Sequence, residues 1–282
     1  MTSPLNETEM VFLHEAAKFF ESPSLLMRIA DMTGKPLELI TSQLKGLPGP
    51  GSQLVQKAFG ALCKVSCQSV QVSPKRMTFT EACRESGDGA FFHRVGTGIT
   101  GAAGGFFGFA GLGVELPVTT GIMFRSIANI ASNFGEDLTK EEVRLNCMSV
   151  FSYGGTNASG TTSQLDSTYY TARVLMTQMI NKTAQAVAGK SAAAIAMMVE
   201  RESCPVLVRL LMTIAQRFGI VISEKLVLQS LPLFGALSGA TINYAFTGYF
   251  NDVAKYHFGI RYLDRKYDIE TVQAVYQNYQ KK

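Results

Sequence analysis

The sequence predicts an all-α protein with a single multi-helix domain, and three observations support that prediction. Almost every periodic segment repeats its apolar residues at steps of three and four, which is the spacing of a helix face. No segment alternates apolar and polar residues between hairpin turns, as the strands of an antiparallel sheet do. A chain of 282 residues is long enough to bury a core in one large domain.

Composition narrows the class of protein further. Charged residues make up 17% of the chain, whereas soluble domains carry about 25%, so the chain leans toward proteins that associate with membranes. A net charge of +4 without a long basic block argues against nucleic acid as a partner. The polar start lacks the pattern of a secretory signal, and the five cysteines include no Cys-x-x-Cys pair. These features indicate reduced thiols in a cytoplasmic protein.

An N-terminal helical segment is expected over residues 1–90. Asn6 precedes a helix over residues 7–20 as its cap, and Pro23 suits the first position of a short helix that follows. A loop rich in proline and glycine separates these elements from a further helix over residues 53–69, because such a loop does not continue a helix.

The most unusual segment is the glycine-rich stretch of residues 95–114, which reads VGTGITGAAGGFFGFAGLGV. It contains eight glycines and no charge. It is therefore too apolar for a surface loop, although each glycine costs a helix about 1 kcal/mol. We expect an apolar helix here. Glu115 and Pro117 then predict a boundary, with Glu115 capping a separate amphipathic helix over residues 118–134 and Gly135 ending that helix.

The rest of the chain continues the helical pattern around a polar loop over residues 153–165. Before that loop, Thr139 and Glu142 form the pattern of a capping box. Near the end of the chain, Gly259 is expected to end one helix and Asp268 to cap the last. Helices are expected over residues 166–188, 192–202, 205–218, 223–230 and 268–280, and a long apolar helix over residues 226–249.

Glycines at a spacing of four mark the two apolar helices, over residues 95–114 and 226–249. This spacing places them on one helix face, where missing side chains let a neighbouring helix approach closely. We therefore expect a central pair of helices packed through glycine faces. Both helices are long enough to span a membrane, which takes about 20 residues. The same segments also suit the dry core of a soluble bundle. The pairs are Gly101 and Gly105, Gly104 and Gly108, and Gly235 and Gly239.

Motifs for cofactors and catalysis are weak. Residues 96–101 match the glycine pattern of a dinucleotide site, but the next acidic residue, Glu115, comes too early for the ribose contact. The GKS of residues 189–191 follows a helix pattern, whereas a phosphate loop must follow a strand. The three histidines lie on different elements, and no Cys/His cluster occurs. We predict no cofactor, no metal and no catalytic residue.

Two blocks of the sequence resemble the EcsC family, which is named for a protein encoded beside the two components of an ABC transporter. Residues 101–138 have the family's glycine- and alanine-rich run, acidic residue with proline, Arg-x-Ile and aromatic-glycine pair. Glu stands where Asp is common, and Phe where Tyr is common. Residues 231–267 have the family's Gly-x-x-x-Asn pattern. The matching residues are Glu115, Pro117, Arg125, Ile127, Phe134, Gly135, Gly239 and Asn243.

The resemblance implies an accessory role in export or membrane processes and supplies no catalytic residue. We divide the chain into the N-terminal segment 1–90, an EcsC-like helical core over residues 91–265 and a C-terminal helix over residues 266–282. We expect a non-enzymatic protein on the inner face of the membrane, which binds the membrane surface, lipid or a membrane protein such as a transporter. The candidate packing or interface residues are Gly101, Gly104, Gly105, Gly108, Glu115, Pro117, Arg125, Gly235, Gly239 and Asn243.

Two alternatives stay open at this point. One is a soluble helical carrier of an apolar ligand or lipid, because several phenylalanines in the two apolar helices could line a cavity. The other is a hydrolase whose site is not visible in the sequence. The candidate cavity residues are Phe106, Phe107, Phe109 and Phe246.

Overall fold

The computed structural model describes residues 4–21, 73–87, 108–153, 169–230 and 239–280. These parts of the chain contain helices and no strand, which confirms the all-α prediction. The helices are α1 (Glu7–Glu21), α2 (Phe79–Glu85), α3 (Gly108–Asn133), α4 (Glu141–Ser149), α5 (Tyr169–Val187), α6 (Ala192–Glu200), α7 (Pro205–Ser230), α8 (Gly239–Tyr267) and α9 (Ile269–Gln280), with a 3-10 turn over Val150–Ser152.

Helix α8 lies at the centre of the described fold and contacts α1, α2, α3, α7, α9 and the 3-10 turn. Its apolar face is buried, and much of the core is aromatic. The ring of Phe151 in the 3-10 turn lies 4.7 Å from Phe218 on α7 and 4.9 Å from Phe250 on α8, measured between centroids. Aromatic pairs at such distances contribute beyond their buried area, so α8 organises a packed centre.

Helix α3 corrects the predicted boundary at Glu115 and Pro117. The structure has one helix from Gly108 to Asn133 that continues through both residues. Proline inside a helix removes one backbone hydrogen bond, but α3 packs along α8, and burial of its later turns favours helix over the local break signal. The predicted end is confirmed: Gly135 has φ of 77° and donates its N–H to the carbonyl of Ser132.

The second apolar helix is also corrected. Residues 226–230 end α7, which joins the two helices expected over residues 205–218 and 223–230, and α8 begins at Gly239. Residues 231–238 lie outside the described residues. The predicted contact between glycine faces falls largely on such residues, so it stays a prediction. What the structure does describe is a contact further along the same two helices, where the Ser126 hydroxyl donates to Asn251 Oδ1 at 2.7 Å.

Gly259 was expected to end a helix, and that expectation is wrong. Helix α8 continues through it to Tyr267. The reason for glycine here is a close approach by α1: a Cβ at Gly259 would lie 2.2 Å from Cζ of Phe12. Glycine at this position therefore leaves room for the Phe12 ring. The need for space in the packing, rather than for an unusual backbone conformation, explains why the residue is glycine.

The caps of the helices agree with the sequence at two positions and differ at one. Asn6 and Glu9 form a reciprocal capping box at the start of α1, with distances of 2.9 and 3.0 Å. Asp268 accepts the backbone N–H of Thr271 at 2.8 Å and so caps α9. The capping box expected from Thr139 is absent, because Thr139 instead donates its N–H and hydroxyl to Asp137.

Helices α1 and α9 pack on each other and on α8. Glu9 of α1 is buried and accepts hydrogen bonds from Lys266 Nζ at 2.8 Å and from the Tyr267 hydroxyl at 2.9 Å. Burial alone would raise the pKa of Glu9, but these bonds hold it below its ordinary value. The first described helix, α1, is thereby tied to the end of α8.

Candidate functional site

Two features of the described residues are candidates for function. One is a buried network of charged and aromatic side chains along one face of α8. The other is an apolar helix, α6, on the surface. The first could hold a reacting or switching group, because perturbed titrating residues often mark such sites. The second could bind an apolar surface, because exposed apolar patches often do.

The first part of the network surrounds Glu136, which follows the glycine turn at the end of α3. Its carboxylate accepts hydrogen bonds from Arg261 Nε at 2.8 Å and from Arg265 Nη1, and Arg265 also donates to the carbonyl of Phe134 at 2.6 Å. Burial alone would raise the pKa of Glu136, but the two guanidinium groups outweigh it and lower that pKa. An ionised carboxylate thus joins the α3 end to α8.

The second part joins α5 to α8. Arg173 forms an ion pair with Asp264, and both side chains are largely buried. Burial raises the pKa of Asp264 above its ordinary value, although the Arg173 guanidinium acts in the opposite direction. The pair lies one turn away from Arg261 along α8, so the two ion pairs occupy neighbouring turns of one helix.

The third part is His257, which is fully buried on the same helix. Its Nδ1 shares a hydrogen bond of 2.9 Å with the Tyr169 hydroxyl, and its ring stacks on Tyr153 at a centroid distance of 4.6 Å. Its Nε2 has no hydrogen-bond partner among the described residues. Burial and the charges of Arg173 and Arg261 hold the pKa of His257 well below its ordinary value, so the ring is neutral.

The network connects helices, and its polar atoms face inward. Glu136 and His257 are buried, so both are shielded from solutes in this structure. Within the described parts of the chain, no three His, Cys, Asp or Glu side chains come together as a metal ion would need. Chemically, the network supplies specific attachment between α3, α5 and α8, with one neutral histidine that a proton could charge.

The apolar helix α6 follows α5 and precedes α7 along the chain. Eight of its nine residues are apolar, yet none of those whose exposure is described is fully buried. Ile195, Met198 and Val199 rest partly against the core, and Met197 faces outward with 47% of its surface exposed. An all-apolar helix is normally buried or placed in a membrane, so its surface position needs an explanation.

Polar and charged residues of both signs frame this helix. Gly189 has φ of 69° and Ser191 caps α6, so the GKS of residues 189–191 links two helices. Because helix α5 precedes it, the residues do not form the strand-first phosphate loop. Lys190 lies exposed just before the helix, and Glu200, Arg201 and Glu202 lie exposed at and just after its end.

Of the sequence-predicted candidate residues that the structure describes, none belongs to the buried network or to α6. Gly108 and Gly239 are the first residues of α3 and α8, and Arg125 is exposed on α3. Three others lie within helices: Glu115 and Pro117 in α3, and Asn243 in α8. The remaining candidates fall outside the described residues: Gly101, Gly104, Gly105 and Gly235.

Sequence reasoning missed the buried network, although one signal could have revealed part of it. Charged and titrating residues recur on α8 at steps of four, three and one, among residues that are otherwise apolar. Such a stripe inside a core helix requires partners for its charges. No comparable signal identifies Arg173 or Glu136, because their role depends on where α5 and the α3 end pack. The α8 residues are His257, Arg261, Asp264 and Arg265.

Comparison with models of protein families identifies the family of this chain. The model of the EcsC protein family matches residues 39–263, which is most of the chain. The chain belongs to the EcsC protein family. The EcsC match includes Glu136, Arg173 and His257 of the network and all of α6, whereas α1 and α9 lie outside it. Comparisons with curated proteins and with solved structures give no match.

The described helices were also compared with the requirements of a membrane span. A span needs about 20 predominantly apolar residues. Among the helices in the parts of the chain that the structure describes, none combines enough length with enough apolar character to cross a bilayer.

Proposed function

We propose that this EcsC-family protein is a non-enzymatic accessory factor that associates peripherally with the inner face of a membrane and acts beside an ABC transporter or another export component. The observation that carries the proposal is α6, an apolar helix whose outward face is exposed. Membership of the EcsC family supports the same role, because the resemblance noted above implies membrane or export processes.

The exposed face of α6 suits a cover of lipid. Burying a whole methionine side chain contributes about 1.5–3 kcal/mol. Because Met197 is about half exposed to water, covering its exposed part would add a share of that free energy. A helix lying in the interface places its apolar face below the headgroups and its charged ends in them. Charged residues at both ends of α6 suit that placement: Lys190 before the helix, and Glu200, Arg201 and Glu202 at its end.

The size of α6 also sets how strong such binding can be. A helix of nine residues offers a small apolar area, so attachment through it alone is weak and reversible. A second contact, with a membrane protein such as a transporter, would strengthen the attachment. Once one contact has formed, it raises the effective concentration of the protein for the other. The proposal therefore describes a protein that requires both a lipid surface and a protein partner.

Vesicle flotation tests the lipid part of the proposal. We expect the full chain to float with phosphatidylcholine–phosphatidylglycerol vesicles, and Met197→Glu to lower the vesicle partition constant about tenfold, which corresponds to a cost of about 1.4 kcal/mol for the carboxylate at the interface. Val11→Glu is the matched control, because Val11 is equally exposed at 53% but lies on α1. Equal flotation of all three proteins would contradict the role of α6.

The carrier alternative finds no support among the described residues. Phe246 lies in a packed aromatic cluster, with its centroid 5.5 Å from Phe250 and 6.4 Å from Phe218. Phe106 and Phe107 lie outside the described residues, and the side chain of Phe109 is also outside them. Native mass spectrometry of the purified chain decides the point, since a co-purified lipid would favour a carrier.

A further inference from the structure

We propose that the contact between α5 and α8 is an acid-sensitive joint, which opens when His257 takes up a proton. The α5–α8 joint consists of Tyr169 and Arg173 on α5 with His257 and Asp264 on α8. These long side chains connect the two helices. The inference goes beyond the proposed function, because it concerns how the fold responds to pH.

The geometry around His257 suits a neutral ring that carries its proton on Nδ1. One nitrogen is engaged with the Tyr169 hydroxyl at 2.9 Å, and a ring face is covered by Tyr153. The other nitrogen, Nε2, is buried without a hydrogen-bond partner among the described residues. A protonated imidazole has two donors, so the charged form always buries an unsatisfied N–H at Nε2, which is costly. A neutral ring avoids that N–H when it carries its proton on Nδ1 and donates it to the Tyr169 hydroxyl oxygen.

The charges near His257 make protonation still less favourable. Arg173 and Arg261 are the nearest cations, and each already has its carboxylate, Asp264 and Glu136 respectively. An imidazolium would add a third positive charge where both anions are engaged. The other titratable groups that face this region are phenols of α5, of the residue after the 3-10 turn and of α9: Tyr153, Tyr169, Tyr170 and Tyr276.

The direction of the pH effect follows from these contacts. Once the joint opens, His257 is solvated and takes up its proton near its ordinary pKa of 6.5, whereas in the closed joint burial and the two arginines hold that pKa well below 6.5. The joint is therefore at full stability above about pH 6.5 and loses stability as the pH falls below it. Glu136 stays ionised in this window, because its two arginines lower its pKa.

The opening is expected to begin at one end of α5. Tyr169 is the first residue of that helix, and Arg173 lies one turn later. The other end is held separately, because Thr183 donates to the carbonyl of Val206 on α7. Loss of the two polar contacts would therefore release the first turns of α5 while its later turns stay packed.

Hydrogen exchange of the backbone amides tests the proposal in the intact protein. We compare the first turns of α5 at about pH 7.5 and about pH 5.5, corrected for intrinsic exchange, with α2 as an internal reference. One extra proton on opening raises the opening constant up to about tenfold per pH unit. We expect this acceleration in the wild type and in His14→Asn, a control that removes an exposed histidine on α1.

Two variants assign the effect to His257. His257→Asn keeps a polar atom for Tyr169, and His257→Phe keeps the ring on Tyr153, so at least one tests the joint without emptying the site. We expect the pH-dependent acceleration to vanish in both. No acceleration in the wild type would overturn the proposal. Acceleration that persists in the His257 variants would also overturn it and would assign the effect to a titrating group other than His257. Asp264 is not that group, because its pKa is raised in the closed joint, so the closed joint rather than the open one gains its proton as the pH falls.

Discussion

Glu136→Gln is expected to lower the free energy of unfolding by about 3 kcal/mol, the largest effect that we predict for a single polar substitution. Removing one member of a buried ion pair typically costs 3–5 kcal/mol, because the other charge is left buried without a partner. Glu136 is the partner of both Arg261 and Arg265. Since Arg265 is 45% exposed and can be hydrated, the loss should lie near the lower end of that range. Urea denaturation followed by circular dichroism measures it.

Glu142→Gln is the matched control for this prediction. Glu142 also contacts Arg261, at 3.7 Å, but its side chain is 45% exposed. Exposed pairs contribute at most about 1 kcal/mol, so this variant should stay within that limit. A similar loss in both variants would contradict the assignment of Glu136 as the charge that holds α8 to the α3 end.

Glu136→Gln should also change how the free energy of unfolding depends on pH in the acid range. Because the folded protein holds the pKa of Glu136 below its ordinary value of 4.5, its contribution is present above about pH 4.5 and is lost as the pH falls through the folded pKa. The wild type should therefore lose more stability than Glu136→Gln in this acid range. Denaturation curves at several pH values check this direction.

Gly259→Ala is expected to destabilise the protein by about 2–4 kcal/mol, although alanine normally favours a helix by about 1 kcal/mol over glycine. The added methyl group would lie 2.2 Å from Cζ of Phe12. The Phe12 ring is buried between Phe79 and Tyr256, at centroid distances of 5.0 and 5.4 Å, so it has little room to move. Overpacking and displacement of a buried ring explain the predicted loss. Chemical denaturation of the purified variant measures it.

A double-mutant cycle with Phe12→Ala isolates the contact. Phe12→Ala alone should cost about 3–5 kcal/mol, as for a buried phenylalanine. In that background the methyl of Gly259→Ala no longer meets the ring, so the substitution should become neutral or stabilising by about 1 kcal/mol. If Gly259→Ala stabilises the protein with Phe12 in place, the close approach of α1 to α8 is wrong.

The fold class could be predicted from the sequence because helical periodicity is local. The caps at Asn6 and Asp268 and the turn at Gly135 were found for the same reason, since each involves contacts within a few residues. The wrong boundaries, at Pro117 and Gly259, arise where tertiary packing outweighs a local signal. Position 259 requires glycine because the Phe12 ring packs against it. Phe12 is distant in sequence, so no pattern along α8 reveals this contact.

The candidate site shows the same limit more strongly. The charged stripe of α8 was visible in the sequence, but its partners come from α5 and from the end of α3, and only the packing of these elements brings them together. Helix α6 was predicted as a helix, and its composition would normally indicate burial. Its exposed position depends on tertiary packing, since only Ile195, Met198 and Val199 rest partly against the core, and local patterns do not specify that packing.

Fractionation of cells that express the full chain tests membrane association most directly. A peripheral protein sediments with the membranes and is released by a carbonate wash, whereas an inserted protein stays with the lipid. We predict recovery of the wild type in the membrane fraction with release by carbonate, and a shift of Met197→Glu to the soluble fraction. Recovery of the wild type entirely in the soluble fraction, together with failure to float with vesicles, would contradict membrane association.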